Sequence, residues 1–147
     1  MGNRAVITNK DKEEGIYVHW NGGPASICAF LTYAKAYGIR GPEEDAHYFF
    51  ARLTQIIGNF FGGQLSVGVG CFKKLDTDNY DNGTYIVDNN FNVKERLFCS
   101  DYTETVTESN MRDFLKEIDK RMGINGLDDE KILDTIKFVE VKGLVIN

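Results

Sequence analysis

The stretch Gly15-Ile16-Tyr17-Val18-His19-Trp20-Asn21-Gly22-Gly23-Pro24-Ala25-Ser26-Ile27-Cys28-Ala29-Phe30-Leu31 changes its hydrophobic period part-way along. Ile16, Val18 and Trp20 alternate with Tyr17 and His19, the period-two pattern of a strand with one apolar face. Asn21-Gly22-Gly23 breaks that strand. Pro24 suits the first position of a helix, where its missing N–H costs nothing. From there Ile27, Phe30, Leu31 and Ala34 recur at the spacing of a buried helical stripe, and Gly38 stands where a left-handed cap follows a helix ending near Tyr37. Upstream, Arg4 to Thr8 reads as a second strand, joined through the polar run Asn9–Gly15 into a β-hairpin.

Downstream, Gly41-Pro42 restarts the chain, and Glu43, Glu44 and Asp45 are expected in the first turn of a second helix, where the dipole favours acidic groups. Phe49, Phe50, Leu53, Ile56, Ile57 and Phe60 give it an apolar arc wide enough for the central helix, reaching about Phe61. Its narrower polar stripe carries Arg52, Gln55 and Asn59. Leu65 to Phe72 follows as a strand. Leu65, Val67, Val69 and Cys71 share one side, Ser66, Gly68 and Gly70 the other, and tight helix packing is the expected use of the bare glycine side. Thr84–Val87 and Val93–Phe98, turned by Asp88-Asn89-Asn90, continue this as a meander. In the last third, Thr105 with Glu108 suggests a capping box before an amphipathic helix carrying Met111, Phe114, Leu115, Ile118 and Met122 and ending at Gly123. A fourth helix is expected over about Asp128–Lys137, and a short strand or hairpin over Val139–Ile146. The expected fold is α+β: one domain over 1–147, with a mostly antiparallel sheet packed by about four helices.

Composition narrows the function. At 147 residues the chain suits a single core, and no apolar run approaches the length of a membrane span or resembles a secretory leader. A cytoplasmic protein of a bacterial cell is the expectation, with no cofactor and no membrane partner. Cys28, Cys71 and Cys99 are odd in number and widely spaced, and read as small buried hydrophobes. The net charge is −5, and residues 101–147 carry seven basic against eleven acidic side chains. That balance argues against direct nucleic-acid binding, which needs a basic stripe. It leaves room for a basic protein surface to dock on the C-terminal helices.

Two segments invite a site. In 76–83, carboxylates and amides recur as in a calcium loop, but an EF-hand begun at Asp76 would place Tyr80, Asp81 and Val87 where an oxygen ligand, a glycine and a glutamate belong. Begun at Asp78 it ends on Asn89, so a polar turn is the reading and no metal is expected. The second segment is His19 to Ser26. A Gly22-Gly23 turn opening a helix presents free N–H groups and a positive dipole end to an anion, with Ser26 in the first turn. No lysine or arginine follows, and neither a P-loop nor a dinucleotide fingerprint is present. If the second helix packs nearby, Gln55 and Asn59 join His19 and Asn21 in a polar cluster for a small ligand. A tight structural turn and an exposed histidine are the competing readings. Cys28 and His19 lack an orienting third group, so no catalytic residue is assigned.

The segments Gly2-Asn3-Arg4-Ala5-Val6-Ile7-Thr8, Gly15 through Gly23, Ile57-Gly58-Asn59 with Gly62-Gly63, and Asp78-Asn79 with Asp81-Asn82-Gly83-Thr84-Tyr85 together resemble a family of small, functionally uncharacterised proteins of phages, prophages and other mobile elements of Gram-positive bacteria. The resemblance spans roughly residues 2–87 and carries no catalytic motif. It implies an accessory protein acting by binding, such as an inhibitor of host defence that occupies a host protein (anti-CRISPR-like) or sequesters a small anionic nucleotide. A small phosphoester- or nucleotide-handling enzyme through His19–Ser26, or a homo-oligomeric virion or assembly component, is the alternative.

Overall fold

The computed structural model describes residues 2–127 and 130–147. Strand β1 (Ala5–Thr8) is buried throughout and lies at the centre of a five-stranded sheet, which explains why Ala-Val-Ile-Thr does not alternate. It pairs antiparallel with β2 (Glu14–Val18), with Ile7 opposite Ile16, forming the expected hairpin. On its other side it pairs in parallel with β4 (Thr84–Val87), which turns back antiparallel into β5 (Val93–Leu97). β3 (Val67–Cys71) flanks β2, so the order is β3-β2-β1-β4-β5. The meander is thus confined to β4–β5. After β3 the chain crosses the sheet instead of turning beside itself.

The bare glycine side of β3 faces the crossing loop and is not tightly packed: a Cβ would lie 3.9 Å from Tyr17 Cβ at Gly68 and 3.8 Å from Leu75 Cδ2 at Gly70, both ordinary contacts. Tyr17 opposes Gly68 and Gly15 opposes Gly70, all on the face away from the helices. Among the described residues no α-helix packs there. A Cβ at Gly15 would lie 2.8 Å from the Ile7 carbonyl oxygen and 3.1 Å from Leu75 Cδ1, so the glycine admits the loop over 72–83 onto that face.

The other face, with Ala5, Ile7, Ile16, Val18, Tyr85 and Val87, meets the helices. Helix α1 (Pro24–Tyr37) starts and stops as its sequence predicts, with Gly23 before Pro24 and Gly38 left-handed at φ 92°. The unbroken run Ile27–Ala34 is buried, so α1 and not the second helix is central. Its small residues, such as Cys28, Ala29 and Ala34, let neighbours approach from several sides. Helix α2 (Ala46–Phe61) begins later than expected: Asp45 is its cap, accepting the Tyr48 N–H at 3.2 Å, and Glu43 and Glu44 precede it. Phe30, Phe60 and Phe114 bind α1 and α2 to α3 (Glu108–Arg121), with centroids 5.2–5.8 Å apart.

The cap of α3 is Thr107, whose Oγ1 accepts the Asn110 N–H at 3.1 Å. Thr105 is instead taken into β6 (Glu104–Val106), which pairs in parallel with the C-terminal β7 (Leu144–Ile146). α4 is described over Glu130–Thr135 and ends two residues before Lys137; Asp128 and Asp129, where that helix is expected to begin, lie outside the described residues. Of the cysteines only Cys28 is buried. Cys71 is exposed on the edge strand β3, and Cys99 is half-buried in the loop that follows β5, so neither lies in the core.

Candidate functional site

The Gly22-Gly23 turn is built by packing. The Gly22 N–H donates to the Asn3 carbonyl at 2.8 Å, and its own carbonyl accepts the Tyr85 hydroxyl at 2.7 Å. A Cβ on Gly22 would lie 2.5 Å from the Asn3 oxygen and 2.8 Å from Ala5 Cβ, so no side chain fits. Gly23 caps α1 through its backbone alone. The anion this helix start favours is supplied by the chain itself: Glu104 Oε1 accepts the Ala25 N–H at 2.7 Å. Glu104 is held there by β6–β7 pairing and by its N–H donating to the Gly143 carbonyl at 2.8 Å. Asn21, left-handed at φ 58°, turns its amide to Ser26 Oγ at 3.3 Å. Of the positions proposed to cradle an anion, Asn21 and Ser26 therefore satisfy each other, while Gly22 is taken by Asn3 and Tyr85 and the Ala25 N–H of the first turn by Glu104.

The neighbouring residues of the same segment form an open concavity. Tyr17 extends from the loop face of β2 and His19 follows just past its end, and the Tyr17 hydroxyl lies 2.8 Å from His19 Nδ1. With Tyr17 donating, the ring proton sits on Nε2. The His19 ring meets Trp20 edge-on at a centroid distance of 5.0 Å. Trp20 falls beyond the end of β2 and is 38% exposed, not directed into the core with Ile16 and Val18. Leu65, before β3 begins, is 99% exposed. Together with Ser66 and Val67 these residues line a concavity of about 400 Å³. Ser66 Oγ is buried there without a hydrogen-bond partner, a polar group that a bound molecule can satisfy.

Behind this concavity the loop over 76–83 is organised by buried Asn79. Its Oδ1 accepts the N–H groups of Asp81, Asn82 and Gly83 at 3.0–3.2 Å, and its Nδ2 donates to the Asp76 and Gly83 carbonyls at 2.9 and 3.1 Å. The loop thereby aims Asp81 at Arg4, whose Nε and backbone N–H reach Asp81 Oδ2 at 2.7 and 3.0 Å, with Asp76 3.7 Å from Nη1. Hydrogen bonding to Arg4 lowers the Asp81 pKa below the usual carboxylate value, and burial raises that of the Tyr17 phenol.

Gln55 and Asn59 are not part of this group. They line a separate concavity of about 460 Å³ with Tyr37, Met122 and Asn125. Gln55 Oε1 accepts from Arg52 Nη1 at 2.9 Å, and Asn59 Nδ2 donates to Met122 Sδ at 3.4 Å. Their spacing places them on the side of α2 toward the end of α3, so the cluster with His19 and Asn21 does not form. Cys28 is on the buried side of α1, its Sγ donating to the Val139 carbonyl at 3.3 Å, and burial pushes its pKa up to about 11, the opposite of an activated thiolate. No group of three His, Cys, Asp or Glu side chains among the described residues is placed to hold a metal ion. No helix among them is long and apolar enough to cross a membrane. Helix α3 is charge-balanced, Arg112 pairing with Glu108 and Arg121 with Glu117 at 3.4 and 3.1 Å, so the acidic excess does not form its outer face.

Comparison with protein-family models, with curated proteins and with solved structures returns no match.

Proposed function

We propose that this chain acts by binding another protein, as a mobile-element accessory protein that inhibits a host defence system, and that the partner seats an apolar side chain against Trp20 and Leu65. The observation that carries the reading is the pair of exposed apolar side chains flanking the Tyr17–His19 concavity, with an unpaired hydroxyl at Ser66 beneath them. The resemblance to mobile-element proteins supplies the context. The nucleotide-sequestering and nucleotide-handling readings need the start of α1 free, and Glu104 sits on it with a negative charge that repels phosphate.

The test is capture of a stoichiometric partner from lysate of a Gram-positive host by the tagged chain, beside Trp20→Ala and Leu65→Asp. Capture by the wild type that persists in high salt and is lost in both variants supports an apolar contact here. Capture released by salt and indifferent to both variants points to a charged surface elsewhere and overturns the assignment.

A further inference from the structure

The two margins of the sheet are finished differently. β5 is covered: the Val93 N–H donates to the Glu140 carbonyl and the Lys142 N–H to the Val93 carbonyl, both at 2.8 Å, with a parallel bridge from Val93 to Val141. β3 has no strand on its outer side among the described residues. Natural edges are blunted by charge, proline, a bulge or a covering segment, and Val67-Gly68-Val69-Gly70-Cys71 carries none of these.

Which groups this edge offers follows from the register. The His19 N–H donates to the Ser66 carbonyl and the Phe72 N–H to that of Glu13, both at 3.0 Å. Alternation then turns the amides and carbonyls of Gly68 and Gly70 inward to β2 and those of Val67, Val69 and Cys71 outward. Val69 is 62% exposed and Cys71 is exposed, so the outward backbone groups are accompanied by apolar side chains. Beside them a groove of about 370 Å³ runs between β3 and α2, lined by Phe50, Ala51 and the pair Glu14 and His47, whose Oε1 and Nδ1 lie 3.0 Å apart.

We infer that the open edge of β3 is covered by a second copy of this chain, the two strands running antiparallel about a two-fold axis through Val69. The edge complements itself in that arrangement. Val67 meets the second copy's Cys71, Val69 meets its own counterpart, and Cys71 meets the second copy's Val67, each as a hydrogen-bonded pair. A centre at Val67 or Cys71 would leave outward groups unmatched. Charge agrees: no ionisable carboxylate or amine lies within Leu65–Gly70, and Lys73 and Lys74 fall opposite Leu65 and Gln64 and not opposite each other. On the helix side the two Val69 side chains close over the groove beside Ala51, where a larger helix residue would block approach. The result is one continuous sheet whose remaining margins are the covered β5 strands.

Sedimentation velocity of the full chain across a concentration series tests this. The wild type is expected to reach the mass of two chains and to dissociate on dilution. Val69→Lys and Val69→Glu are each expected to sediment as single chains with unchanged circular dichroism, and their equimolar mixture to restore the two-chain species, because only a two-fold through residue 69 places opposite charges together. Val69→Cys in a Cys71→Ser background is expected to form a disulfide-linked pair under mild oxidation, since a separation of about 5.5 Å between opposed Cα atoms lies within the disulfide range. Trp20→Ala should leave the two-chain mass unchanged. A wild type that stays a single chain at every concentration overturns the inference. So does a Val69→Lys variant that associates like the wild type, a mixture that fails to restore the pair, or a Val69→Cys variant that does not cross-link.

Discussion

Replacing Asn79 by alanine removes the group around which residues 76–83 are wound. The buried Gly83 N–H, donated to Asn79 Oδ1 at 3.0 Å, loses that acceptor, a cost of about 1–3 kcal/mol. The half-buried bonds from the Asp81 and Asn82 amides add about 0.5–1.5 kcal/mol each, less what water restores. On the donor side little is lost at Gly83, whose carbonyl keeps the Val6 N–H at 3.0 Å. A total of about 3 kcal/mol lowers the melting temperature of a chain near this length by about 6–12 °C. Thermal and urea unfolding followed by circular dichroism read this directly. Asn79→Asp is as costly as alanine or more so: it retains the acceptor for three amides but sets a carboxylate oxygen against the Asp76 and Gly83 carbonyls. A fall of under about 2 °C for Asn79→Ala would show that the loop holds its shape through other contacts, and the account of how Asp81 reaches Arg4 would fail.

Two glycine substitutions should move stability in opposite directions, as read by urea midpoints. Gly22→Ala drives a Cβ into the Asn3 carbonyl and should cost about 2 kcal/mol or more, whereas Gly58→Ala meets nothing within 4 Å and should gain up to about 1 kcal/mol from helix propensity. Glu104→Ala should lose about 1 kcal/mol and make the melting temperature rise with added phosphate, while the wild type stays indifferent. Stability should fall as pH rises from about 9 towards about 11, because the unfolded Cys28 thiol loses its proton first and the folded one keeps it; Cys28→Ala should flatten that part of the curve. In thiol titration with a chromogenic disulfide, Cys71 should react in the native state and Cys28 only on unfolding.

Local signals proved legible where the backbone answers to its own neighbours. Pro24 and Gly38 mark both ends of α1, and the alternation of Ile16, Tyr17, Val18 and His19 gives the strand and its two faces. Tertiary contacts decided the rest. Trp20 continues the apolar alternation by sequence, yet β2 ends at Val18 and Asn21 turns left-handed, leaving the indole at the surface. Thr105 and Glu108 have the spacing of a capping box, but pairing with a strand forty residues later takes Thr105 away and leaves Thr107 to cap. The glycines of β3 suggest a close approach by sequence, yet a Cβ at Gly68 or Gly70 would meet only ordinary contacts at 3.9 and 3.8 Å; the glycine that does admit a close neighbour is Gly15 of β2, against the Ile7 carbonyl and Leu75. At the site, His19 was visible as a polar group beside Tyr17. Glu104, almost eighty residues from Ala25, carries no mark in the sequence of its place on α1, and neither does Asp81 of its place against Arg4.

The most direct measurement of the central claim is hydrogen exchange on the captured complex, compared with the free chain. Slowed exchange over Tyr17–Trp20 and Gln64–Val67, with α3 and the start of α1 unchanged, is the result expected of a partner seated on Trp20 and Leu65. Protection concentrated instead at Pro24–Ser26 or along α3 would contradict it and return the site to the helix start or to the charged C-terminal helices.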